Sequence, residues 1–187
     1  MAVYDREWRS MGFPDDYQEE EYRKAGRAQL ENFHRSYMAA PPDMVHQEKS
    51  FELHLDHDVI VKGRMDQVNR LDSKAVEIVD YKTGKPKDAK RAKDSLQLSV
   101  YALAAEEVLE LKPERLVFYN LTTNEAVASE RDAKTLARTK QTIYEVAGQI
   151  RAGEFPAKPS FLCVYCDYKP LCPAHEQLIS IQPAASR

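Results

Sequence analysis

Apolar and polar residues alternate most regularly in the second quarter of the chain. Between Val45 and Asp56, Phe51, Leu53 and Leu55 alternate with Glu52, His54 and Asp56. A period of two marks a half-buried strand. The stretch DVIVKGRMDQVNRLD, residues 58–72, predicts a second strand, with His57 and Asp58 turning into it and LDSK turning out. AVEIVDYK, residues 75–82, predicts a third, and the short connections make the three a meander. ERLVFYNLTT, residues 114–123, predicts a fourth.

Helical spacing surrounds these strands. In residues 17–39, Tyr22, Leu30, Phe33 and Tyr37 recur at roughly helical intervals, Asp15 or Asp16 can cap the start, and APPD ends the run. The acids of its first turns suit the helix dipole. Residues 94–111 predict a helix that buries Leu98, Tyr101, Leu103 and Ala105. Residues 132–155 predict a last helix, capped by Asp132 and ended near Gly153. Residues 1–15, with Trp8, Phe13 and Pro14, have no period and are expected to be an irregular lead-in. The predicted order is α-β-β-β-α-β-α in a core over 16–155, followed by a cysteine-bearing tail over 156–187.

Totals narrow the function classes. A chain of 187 residues suits one domain with a real core. No apolar run is long enough to cross a bilayer, and the charged start MAVYDREWRS lacks the apolar heart of a signal peptide. All three cysteines fall at or after Cys163, which argues against a secreted disulfide framework and for a cytoplasmic protein with a local cysteine site. The net charge of −3 means that any nucleic-acid contact must come from a local patch.

The chemistry concentrates in EIVDYKTGK, residues 77–85. On a strand, Ile78, Asp80 and Lys82 share one face while Val79 and Tyr81 take the other. A tight hairpin register would bring Asp66 of GRMD level with Asp80, with Gly63 permitting close backbone approach, and Glu48 lies near the start of the strand before. Carboxylates gathered in this way repel unless they hold a cation. Oxygen ligands suit Mg²⁺ or Mn²⁺. A neighbouring lysine can orient a water and balance charge on a phosphoryl group. Taken alone, a D-x-K on a strand is also a common solvated face. Lys85, Lys87, Lys90, Arg91 and Lys93 follow, with Asp88 as the single acid among them. This is the pattern of a phosphate-backbone contact or, by itself, of a solubilising loop. Gln97 and Tyr101, four apart, share a helix face. Tyr101 would also suit a core, whereas an amide on an apolar helix side needs a partner.

GRMDQV, EIVDYKTGK and QLSVYALA, in this order and spacing, resemble the RecB-type nucleases of the PD-(D/E)XK superfamily. These include nuclease domains fused to UvrD-like helicases and CRISPR-associated exonucleases with a cysteine cluster. The resemblance runs from about Gly26 to His175. It implies an α/β fold with a restriction-endonuclease-like αβββαβ core, its mixed central sheet flanked by helices. It further implies metal ligation by Asp66 and Asp80, a catalytic role for Lys82, and Gln97 and Tyr101 near metal and DNA. Glu48 matches an acidic position of the family and is a candidate further ligand. The sequence departs at one point: many relatives carry a metal-binding histidine four residues after a glycine on the first helix, and here Gly26 is followed there by Leu30, with His34 one turn on.

Cys163, Cys166, Cys172 and His175 form C-x₂-C-x₅-C-x₂-H, which reads as a small zinc site. In RecB-like relatives a similar trio joins an upstream cysteine around a 4Fe–4S iron–sulfur cluster. No cysteine precedes Cys163. The upstream ligand has been cut away with a larger protein, or His175 completes the site, or the trio is empty; Cys163 and Cys166 could also pair on oxidation. KTG at 82–84 has no S-x-x-K partner, and no G-x-x-x-x-G-K-[ST] or G-x-S-x-G occurs. The sequence therefore leads to a Mg²⁺- or Mn²⁺-dependent deoxyribonuclease, an exonuclease on single-stranded DNA or DNA ends. It would act in repair or recombination beside a helicase, without membrane contact. The rival expectations are a non-catalytic DNA-binding module of the same fold and a zinc-stapled interaction domain.

Overall fold

β1 (Met44–Leu55) and β2 (Val59–Arg70) form a long antiparallel hairpin, and β3 (Ala75–Lys82) pairs antiparallel with β2. A crossover through two helices, α3 (Ala89–Lys93) and α4 (Leu96–Glu107), then sets β4 (Lys112–Asn120) parallel to β3. A helical crossover is what a parallel pair requires. β5 (Glu125–Ser129) closes the mixed sheet in the order β1-β2-β3-β4-β5. This computed structural model describes residues 1–56 and 58–174. His57, expected in the turn before β2, and His175, expected at the cysteine site, lie outside the described residues. The chain divides into two compact units, Met1–Thr142 and Ile143–Arg187.

Helices cover both faces of the sheet, as predicted. α4 is mostly apolar and its middle is enclosed: Leu98, Tyr101, Ala102, Leu103, Ala104 and Ala105 are all buried, against β4, β3 and β1. With Leu53, Met65, Val68, Val76, Ile78 and Leu116 they make the core. On the opposite face, α2 (Asp16–Ala39) lays Phe33 edge-on to Tyr81 and Tyr119. Asp15 caps α2 by accepting from the Gln18 N–H at 2.7 Å. α5 (Ala133–Arg151) starts as predicted, with Asp132 accepting from the Thr135 N–H at 2.7 Å. Gly153, at φ +70°, follows its end.

The structure corrects four expectations. The lead-in contains a helix, α1 (Ala2–Glu7), pinned to α2 by a hydrogen bond from Tyr4 Oη to the Arg23 carbonyl at 2.9 Å and by Asp5 with Arg27. A Cβ at Gly26 would lie 2.5 Å from Tyr4 Oη, so this glycine makes room for α1. The basic stretch is not all loop, because Asp88 caps α3 within it. α4 ends four residues early, at Glu107, its start capped by Ser95. β5 escaped the pattern because EAVAS is short and mostly exposed, and a sheet edge imposes no apolar alternation. Gly63 keeps its predicted close approach, and the group approaching is the Phe51 ring.

Candidate active site

β3 ends by placing Asp80 and Lys82 beneath the first turns of α4. The β2–β3 register runs through Val68↔Ile78 and Gln67↔Val79, and one step further sets Asp66 opposite Asp80. Asp66 Oδ2 accepts the Tyr81 N–H at 2.8 Å, which fixes this carboxylate to the backbone of β3.

Asp80, Lys82, Gln97 and Tyr101 form a closed ring. Lys82 Nζ donates to Gln97 Oε1 at 3.1 Å, and Gln97 Nε2 donates to Tyr101 Oη at 2.9 Å. Tyr101 Oη donates to Asp80 Oδ1 at 3.4 Å, and Asp80 Oδ2 lies 2.5 Å from Lys82 Nζ. Donation runs from Lys82 through Gln97 and Tyr101 to Asp80, with the ammonium also facing Asp80 directly, and one amide orientation of Gln97 satisfies both of its neighbours. Lys82 also stands over the Phe118 ring, 5.4 Å from its centre, and Phe118 is the β4 residue beside Asp80. The ring edge of Phe51 meets Tyr101 at 6.1 Å and closes the site from β1.

Asp80 is only 2% exposed. Burial pushes its carboxyl group up, the Lys82 ammonium draws it back, and the charge on Asp66 adds to the rise. Its Oδ2 atom is met by the Lys82 ammonium at 2.5 Å and by no other donor. A buried carboxylate oxygen left in this state, beside a second carboxylate, fits a hard cation. Among the described residues no cluster of three or more acids, histidines or cysteines is arranged as a closed cage. Two carboxylates with open positions suit Mg²⁺, which is commonly held by one or two carboxylates and completed by water and substrate phosphate. Burial likewise raises the Tyr101 hydroxyl, which therefore stays a donor at neutral pH.

Asp66, Asp80, Lys82, Gln97 and Tyr101 thus come together, and Glu48 does not join them. Glu48 stands opposite Asp66, between the pairs Gln47↔Gln67 and Lys49↔Met65, yet it sits at φ +48° within β1 and its exposed carboxylate pairs with Arg64 at 2.8 Å. Leu30 and His34 line a groove of 1110 Å³ between α1 and α2. Lys85, Lys87, Lys90, Arg91 and Lys93 follow directly from the site on the strap leading through α3, and none is drawn into an ion pair among the described residues.

Two neighbours carried too weak a sequence signal. Asn120, 4% exposed, ends β4 opposite Lys82, and Arg131 follows β5. An asparagine closing an apolar strand just before Leu-Thr-Thr-Asn was the available hint for the first. In the tail, Cys163 Sγ accepts the Ser160 N–H at 3.3 Å, Cys166 is exposed, and the three cysteines are free thiols.

A family model described as the PD-(D/E)XK nuclease superfamily matches residues 1–173. Among solved structures, the chain is similar to SSO0001 at 16% identity and TM-score 0.45, covering 84% of this chain and 79% of that one. It is also similar to a Eubacterium rectale protein named as a candidate exonuclease, at 15% identity and TM-score 0.48, covering 88% of this chain and 62% of that one. No curated protein matches the sequence.

Proposed function

The chain belongs to the PD-(D/E)XK nuclease superfamily, and from that premise we propose that it is a Mg²⁺- or Mn²⁺-dependent deoxyribonuclease built on Asp66, Asp80 and Lys82. The observation that carries this reading is the buried Asp80 carboxylate beside Asp66, with its Oδ2 met only by the Lys82 ammonium. Asp66 and Asp80 would hold the cation, which when bound supplies positive charge for the phosphoryl group and for an attacking water.

The side chains divide the remaining work. Lys82 has three ammonium hydrogens. One goes to Gln97 and one faces Asp80, which leaves the third for a water or a phosphoryl oxygen. Gln97 and Tyr101 hold that ammonium and the Asp80 carboxylate in a single arrangement. Phe118 walls off one side of Lys82, so the ammonium keeps its direction. Glu48 could become a further ligand only by leaving Arg64. The basic strap from Lys85 to Lys93 would take the nucleic-acid backbone, which supports DNA as the substrate. Action on single strands or ends, beside a helicase in repair or recombination, is the finer proposal, supported by the RecB-type motif order. The spacing of Cys163, Cys166 and Cys172 supports zinc or an iron–sulfur cluster at the tail.

End-labelled single- and double-stranded DNA, incubated with Mg²⁺, Mn²⁺ or EDTA, tests the reading. Cleavage should require the metal, vanish in Asp80→Ala, and fall by about 10²–10³-fold in Lys82→Ala, the usual cost of losing one charge-stabilising donor. Unchanged turnover in both variants would sink it. DNA binding without cleavage by the wild-type protein would favour the non-catalytic module.

A further inference from the structure

The five cations of the basic strap are held on a segment fastened at both ends. At its entry, three consecutive carbonyls leave the end of β3, and each is taken by the end of β4 or the turn that follows it. The Lys82 carbonyl accepts the Leu121 N–H at 2.9 Å, the Thr83 carbonyl accepts Thr122 Oγ1 at 3.1 Å, and the Gly84 carbonyl accepts Asn120 Nδ2 at 2.8 Å. Asn120 is itself held, since its Oδ1 accepts from Thr123 N at 3.0 Å and Thr123 Oγ1 at 3.3 Å. At the exit, one guanidinium gathers the end of α3 and the start of α4. Arg131 donates to the carbonyls of Ala92 at 2.8 Å and Ser95 at 3.1 Å, and to Ser99 Oγ at 2.6 Å. Ser129 Oγ adds a hydrogen bond to the Ala92 carbonyl at 3.3 Å, and Ala92 is fully buried.

These anchors have no other evident task. Asn120 is buried beside the site but is absent from the ring around Asp80, and the Arg131 guanidinium spends its donors on carbonyls and hydroxyls. Between them lie Pro86, with its fixed φ, and Asp88, which caps α3 by accepting from the Arg91 N–H at 2.7 Å. A mobile lysine loop would lose conformational entropy each time it closed on a phosphate chain. A strap set in advance presents its charges already ordered.

We propose that Asn120 and Arg131 are positioning residues for substrate binding: they hold Lys85, Lys87, Lys90, Arg91 and Lys93 as a pre-formed row that tracks the phosphate backbone of DNA entering the site. The inference rests on the nuclease reading above and adds how the strand is gripped. It separates grip from chemistry, because neither side chain is hydrogen-bonded to the side chains of Asp80, Lys82, Gln97 and Tyr101.

The test measures binding of a fluorescein-labelled oligonucleotide in EDTA over a range of KCl concentrations, and steady-state cleavage with Mn²⁺, for the full chain and for Asn120→Ala and Arg131→Lys. Each variant should flatten the slope of log affinity against log salt by about 1–2, the loss of one or two phosphate contacts, and raise KM about tenfold with kcat kept within twofold. A Lys87→Gln/Lys90→Gln double variant, with both anchors intact, should give the same pattern. Amide hydrogen exchange should accelerate over 82–93 alone. Wild-type salt slopes in both anchor variants, or a fall in kcat at unchanged KM, would overturn the proposal while leaving the nuclease reading intact. A wild-type protein that neither binds nor cuts DNA would remove both.

Discussion

Asp80 carries a cost that its site turns to use. Its carboxyl is pushed above the ordinary carboxylate range chiefly by burial, against the pull of Lys82. For a group whose folded pKa is raised, folding is favoured while the proton is bound, and that contribution is lost as pH rises through the folded value. At neutral pH the ionised Asp80 therefore strains the metal-free protein. Asp80→Asn should raise the metal-free melting temperature by about 2–4 °C, which corresponds to about 1 kcal/mol in a chain of this size, while removing cleavage. Millimolar Mg²⁺ should then stabilise the wild type and leave the variant unmoved, by the linkage of binding to folding. Calorimetric scans with and without Mg²⁺ check both halves, and a variant less stable than the metal-free wild type would contradict the first.

At the scale of elements, the N-terminal segment shows how a stretch without periodicity can still be ordered. α1 has no buried residue of its own. Specific bonds and a run of ring contacts, Tyr4 to Trp8 to Phe13 to Tyr22, hold the segment to α2. Glu19 on α2 accepts from Ser10 Oγ at 2.6 Å and Trp8 Nε1 at 2.8 Å, and these bonds, Ser10 first, hold its carboxyl below the usual glutamate range. A depressed carboxylate stabilises above its unfolded pKa, and that contribution is lost as pH falls through the folded one. Trp8 is the single tryptophan, so its emission reports this contact directly. On acidification the emission should shift in a step centred below the ordinary glutamate pKa, and Glu19→Gln should abolish the step. A step at the same pH in the variant would assign it to another group.

For the whole molecule, charge is unevenly spent. The chain carries −3 overall, yet five cations crowd the strap beside two carboxylates. A nucleic-acid strand would be drawn to this local concentration of cations after β3 rather than to the chain as a whole. The tail is the other concentration of chemistry. Elemental analysis of protein purified without air should find zinc or iron that is lost in Cys166→Ser, and metal-free wild-type protein would leave the trio as plain thiols.

Much of this was legible one residue at a time. Period-two patterning located β1 nearly to the residue, because a strand with one buried face must alternate, while β2 and β3 were located by runs of strand-forming residues between turn signals. Asp66, Asp80 and Lys82 could be read as one site because each lies on a strand whose face and level follow from sequence spacing, and the resemblance to RecB-type nucleases brought Gln97 and Tyr101 to it. Tertiary structure decided the rest. Glu48 has the right row for the site, but a left-handed backbone angle and the Arg64 guanidinium two residues from Asp66 take its carboxylate away. β5 exists because the edge of β4 offers unpaired backbone groups, which no pattern within EAVAS announces. Asn120 and Arg131 act on carbonyls 36 and 39 positions distant in the chain. Local periodicity is a property of consecutive residues and the sequence states it, whereas a buried amide's choice among distant carbonyls is settled only when the sheet closes and leaves that donor no water to bond.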